Sequence, residues 1–198
     1  HYPDPACWAL RQALAAYWDR PSEEFLVGNG STELIHLLPR ALGIKHLMLI
    51  GPTFSEYAEA MTRSGGQVSM LLANRADGYR PPLESVRAAL KRRRQPASDA
   101  SPIGAVLLCN PNSPTGQACE AEAVRTLARL AARRGLWCIV DESFAEYADH
   151  ASILSEPLPA RTIVLRSFTK FYGLPGLRVG YAMAKPAVIA RIAAQQPP

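Results

Sequence analysis

The chain has 198 residues, 48% of them apolar and 20% charged. That balance predicts a globular fold with a sizeable core, one large domain or most of one, and no run approaches the roughly 18 apolar residues of a membrane span. The net charge of +5 has one dense basic run, Lys91-Arg92-Arg93-Arg94; it ends a predicted helix and no aromatics interleave with it, so no nucleic-acid partner is expected.

In chain order, Asp4 can cap a helix carrying Trp8, Leu10, Leu14 and Trp18, followed by a short strand at Phe25-Leu26-Val27. Ser31 opens a helix through Leu34, Leu37, Leu38 and Ala41. A strand at 46–50, a helix at 55–64 and a strand at 67–72 come next. The second half repeats the rhythm with a helix at 83–93, a strand at 103–109, a helix at 120–134 and a strand at 136–140. Strands at 162–166 and 179–184 follow, with another helix under way at the end. Alternating helices and apolar strands predict an α/β fold, a mostly parallel sheet with helices on both faces. The four cysteines, Cys7, Cys109, Cys119 and Cys138, show no CxxC or metal-ligand spacing. They read as reduced, packed thiols of a cytoplasmic protein.

The polar motifs fall just after strands, where open α/β sheets place ligands. Gly28-Asn29-Gly30-Ser31-Thr32-Glu33 offers a tight turn and a helix N-terminus to an anion, with Ser31 and Thr32 as extra donors. Taken alone it reads more readily as an ordinary capped loop. In Gly51-Pro52-Thr53-Phe54-Ser55-Glu56-Tyr57, Phe54 could stack on a flat ring, although aromatics in such places are often core. Asn110-Pro111-Asn112-Ser113-Pro114-Thr115-Gly116 forms a rigid turn that aims Asn112 or Ser113 at a phenolate-like oxygen. Asp141-Glu142 leaves an apolar strand; Asp141 suits a protonated ring nitrogen, and Glu142 reads as structural. A metal pair is the rival there, but no His clusters with it, and no metal is expected.

Arg166-Ser167-Phe168-Thr169-Lys170 and Arg178 complete the set. The amine of Lys170 can form a Schiff base with an aldehyde, and Ser167, Thr169 and Arg178 can grip a phosphate. Together these residues predict a site for pyridoxal 5'-phosphate (PLP), with Lys170 and Asp141 as the catalytic pair.

The same motifs, in this order along essentially the whole chain, resemble the fold type I PLP enzymes. These are the aspartate aminotransferase superfamily, and the likeness points to its histidinol-phosphate aminotransferase branch. The segments YPDP, GNGSTE, GPTFSEY, DESF and RSFTKFYGLPGLRVGY are also similar to threonine-phosphate decarboxylases of cobalamin biosynthesis. The resemblance implies a three-layer α/β/α large domain across residues 1–198 of a longer protein, with the start of an N-terminal arm and a C-terminal small domain outside it. It implies a cofactor site built from Ser31, Thr32, Phe54, Asn112, Ser113, Asp141, Ser167, Thr169, Lys170 and Arg178. It also implies a phosphorylated amino acid substrate and a homodimer in which Tyr2 reaches the neighbouring subunit's site. Ser113 and Phe144 depart from the Asn and Tyr that many relatives carry; Phe144 matches the decarboxylases. An aminotransferase-like sensor domain, binding PLP without turnover, is the rival of another class.

Overall fold

A computed structural model describes residues 4–91 and 101–197. Its sheet has seven strands in the order β1-β7-β6-β5-β4-β2-β3. They are β1 (Phe25–Asn29), β2 (His46–Gly51), β3 (Gln67–Leu72), β4 (Ala105–Cys109), β5 (Trp137–Asp141), β6 (Thr162–Ser167) and β7 (Val179–Met183). Only β7 is antiparallel to its neighbours, β1 and β6; the pairs from β6 across to β3 are parallel. The helices are α1 (Trp8–Trp18), α2 (Gly30–Leu42), α3 (Glu56–Arg63), α4 (Leu83–Lys91), α5 (Ala121–Arg133) and α6 (Pro186–Ala193).

Successive strand side chains point to opposite faces, and the two faces carry separate cores. Leu107, Ile139, Ile163 and Leu165 pack with Leu34 and Leu38 of α2, Met61 of α3 and Ile192 of α6. Val106, Leu108, Val140 and Val164 pack with Leu14 of α1, Val86 of α4 and Leu127 of α5. The central strands are thus buried on both sides, which is why they read as continuous apolar runs, and the architecture is the expected three-layer sandwich.

Most predicted elements stand within two residues of the observed ones. Three strands run further than their apolar residues do, because the ladder carries on through the polar residues Asn29, Asp141 and Ser167. Asp4 accepts from the Trp8 and Ala6 amides, at 2.8 and 2.9 Å, so it does hold the entry to α1. Ser31, by contrast, does not open α2. The helix begins at Gly30 after Asn29, and Glu33 in its first turn reaches back to accept from the Asn29 amide at 2.7 Å, the acidic half of a capping box. The last helix closes at Ala193, and the end of the basic run, Arg92-Arg93-Arg94, lies outside the described residues.

All four cysteines are free. Burial pushes the Cys109 and Cys138 thiols up to about 12, so both stay protonated and pack as small apolar groups.

Candidate active site

The reversed direction of β7 organises one edge of the sheet. Its first residues lie where β1 and β6 end, with Val179 opposite Asn29, and Gly180 opposite both Gly28 and Ser167. Arg178, just before β7, is thereby delivered to the turn that enters α2. The fit there is close: a Cβ on Gly30, whose φ is +74°, would lie 2.6 Å from Arg178 Nη2. A Cβ on Gly180 would meet the Ser31 amide nitrogen at 2.5 Å. Only glycines let the guanidinium and the first turn of α2 approach so closely.

Ser31 and Thr32 sit in that first turn, whose amides have no acceptor within the helix. From the β6 side come Ser167 and Thr169, with hydroxyl oxygens 2.8 Å apart and the Thr169 amide donating to Ser167 Oγ at 3.2 Å. Helix amides, hydroxyls and an exposed guanidinium together form a corner suited to a phosphate.

Asp141, at the end of β5, is 2% exposed. Its Oδ1 accepts from the Ser143 amide at 2.9 Å and its Oδ2 from the Tyr57 hydroxyl at 2.8 Å. Burial pushes its carboxyl above the ordinary range, while the bonds from Ser143 and Tyr57 and the charge of Lys170 pull it back. Phe54 is 41% exposed and meets the Tyr57 ring edge-on, with centroids 5.6 Å apart at 83°. Lys170 is exposed on the turn after β6, with Nζ 5.7 Å from the Phe144 ring centroid.

Phe144 also lines an open cavity of about 290 Å³, together with Pro111, Asn112, Ser113 and Tyr147. The peptide bonds before Pro111 and Pro114 are both cis. Asn112 commits its amide group to Pro52 O at 2.9 Å and Thr115 Oγ1 at 2.8 Å, and its buried Oδ1 has no partner among the described residues. Of the two side chains expected to donate here, only Ser113 keeps a donor uncommitted among the described residues. Tyr2 lies outside them.

Glu142 turns to the opposite face from Asp141, as strand alternation requires. It is fully buried, 3.3 Å from Arg166 Nε, and accepts from Ser152 Oγ and the Ile153 amide at 2.7 Å each. Arg166 also pairs with Glu146 at 3.0 Å and lies 5.1 Å from the Trp18 ring centroid. This ion pair joins the ends of β5 and β6 behind the residues that face the site. Glu142→Ala leaves Arg166 with Glu146 alone and the Ile153 amide without its acceptor, and is expected to lower unfolding free energy by about 2–3 kcal/mol, read from urea melts.

Sequence reasoning passed over Tyr57, Arg166 and Glu146. Tyr57 stands in the first turn of α3, three residues after Phe54, and its partner Asp141 is 84 residues away. A lone arginine on an otherwise apolar strand requires a buried carboxylate partner.

The chain matches the family described as aminotransferase class I and II over residues 1–198. It is 33% identical over 200 residues to a threonine-phosphate decarboxylase of Salmonella typhimurium, covering 100% of this chain and 52% of that protein. It is also 33% identical over 202 residues to a histidinol-phosphate aminotransferase of Desulfitobacterium hafniense, covering 99% of this chain and 53% of the other. The crystal structure of the histidinol-phosphate aminotransferase from Clostridium acetobutylicum has the same fold. Its TM-score is 0.84 at 23% identity, over 100% of this chain and 56% of that one. The chain therefore spans about half the length of the curated relatives it matches.

The residues at the sheet edge suit PLP on their own chemistry. A carboxylate raised by burial gains from a cationic ring nitrogen, an exposed aromatic face is ready to stack, and the phosphate corner and an amine complete the donor set. On sequence match and fold alike, this chain belongs to the class I and II aminotransferases, a family of PLP-dependent enzymes.

Proposed function

We propose that the protein containing this chain binds PLP and decarboxylates L-threonine O-3-phosphate to (R)-1-amino-2-propanol O-2-phosphate, a step of cobalamin biosynthesis. One observation carries the enzyme reading: Phe54, Asp141 and the Lys170–Arg178 segment, from separate stretches of the sequence, all lie at the same end of the sheet, after β2, β5 and β6 and before the reversed β7. The decarboxylase choice rests on Phe144, an apolar ring beside Lys170 Nζ where many aminotransferases carry a hydroxyl.

The chemistry that PLP brings to such a site is that of an electron sink for a bond broken at the substrate α-carbon. In this reading Asp141 holds a proton on the ring nitrogen, Phe54 covers one ring face, and Arg178 with Ser31, Thr32, Ser167 and Thr169 anchors the phosphate. Lys170 would be the amine that holds the cofactor aldehyde and, as an ammonium group, the proton donor to the substrate α-carbon. Ser113 would supply the donor to the ring's phenolic oxygen. The residues that would orient the substrate carboxylate would thereby decide between decarboxylation and proton removal.

The alternative, histidinol-phosphate aminotransferase, is favoured by relatives of that name at the same 33% identity. We further propose a cytoplasmic homodimer with Tyr2 reaching the partner's site. Incubating the complete protein with threonine phosphate is expected to release carbon dioxide and the aminopropanol phosphate. Turnover only with histidinol phosphate and 2-oxoglutarate rejects the decarboxylase in favour of the alternative.

A further inference from the structure

One side chain bears on two parts of the ring site at once. Tyr57, in the first turn of α3, is 2% exposed; its hydroxyl donates to Asp141 Oδ2 at 2.8 Å, and its ring meets Phe54 edge-on. Burial and then the Asp141 charge push its phenol well above the ordinary range, so the group stays a donor. The Ser143 amide takes the other carboxylate oxygen, fixing the plane of Asp141 from two directions.

We propose that Tyr57 is a positioning residue for the cofactor ring, holding Asp141 in the orientation and charge a pyridinium N–H requires while buttressing Phe54 against the ring face. This rests on the PLP reading above. A donor on Asp141 Oδ2 lowers the carboxylate's affinity for the proton it shares with the ring nitrogen, so the proton stays on the ring. The hydroxyl thus acts on ring electronics, and the aromatic ring acts on stacking.

The two roles separate in Tyr57→Phe, which keeps the ring and removes only the donor. In the complete protein this variant is expected to bind PLP about tenfold more weakly, the scale of a lost hydrogen bond to a charged group. With PLP labelled with nitrogen-15 in the ring, its resonance is expected to move toward unprotonated pyridine. Tyr57→3-fluorotyrosine, a stronger donor of nearly the same shape, is expected to move the resonance the other way. Weaker binding with an unmoved resonance in both variants assigns Tyr57 a packing role only and overturns the proposal, as does a Phe variant unchanged in both readouts. If the unsubstituted protein itself fails to bind PLP, the cofactor reading falls first.

Discussion

Lys170→Ala in the complete protein is expected to lose about four orders of magnitude in turnover, because one amine both captures the aldehyde and moves the proton. The loss should come without unfolding. Lys170 is exposed on a turn, with its Nζ 5.7 Å from the Phe144 ring centroid. Melting temperature should therefore hold while turnover collapses. PLP should still bind through the phosphate corner, now reversibly, and dialyse away. Added primary amines such as methylamine should restore part of the rate if proton transfer is the missing function. An alanine variant retaining turnover within tenfold of the parent rejects Lys170 as the catalytic base and acid.

Asp141→Asn is expected to move stability and activity in opposite directions. The carboxyl of Asp141 is raised by burial, so the folded cofactor-free protein holds its proton more tightly than the unfolded chain does. A raised carboxylate contributes its full stability below the unfolded value and loses it as pH climbs through the folded value. As pH climbs above the unfolded value, then, Asp141 costs the cofactor-free protein stability, whether by burying the charge or by taking up a proton. Asparagine removes the charge while the Tyr57 hydroxyl, free to rotate, accepts from the new amide instead of donating. The cofactor-free variant should melt higher than the parent near about pH 8 and alike near about pH 4. With PLP bound the order reverses, since the pyridinium loses its counter-charge, and turnover should fall by about a hundredfold or more. A cofactor-free variant that melts lower at the higher pH contradicts the electrostatic account of Asp141.

The contrast between these positions shows what the sequence made legible. Continuous apolar runs and helical periodicity expose the elements directly, because the central strands Ala105–Cys109, Trp137–Asp141 and Thr162–Ser167 have apolar middles and are bounded by polar turns. The strand ends were less visible: Asn29, Asp141 and Ser167 belong to the ladder by backbone pairing, which side-chain polarity does not report. Lys170, Asp141 and Arg178 announced themselves through spacing and chemistry. What spacing could not show was direction. Nothing in Val179–Met183 says that β7 runs against its neighbours, yet that reversal brings Arg178 to Gly30. Asn112 was likewise read as a donor from its type, and the structure shows its amide already spent within the turn. Tyr57 and Arg166 stayed hidden because their partners are remote in sequence and lie in the interior.

Every role assigned to the site depends on a covalent bond between PLP and one amine. Borohydride reduction of the complete holoprotein, followed by digestion and mass spectrometry, is expected to give a single pyridoxyl adduct on the peptide containing Lys170. An adduct on another lysine, or a reduced protein with none, contradicts it.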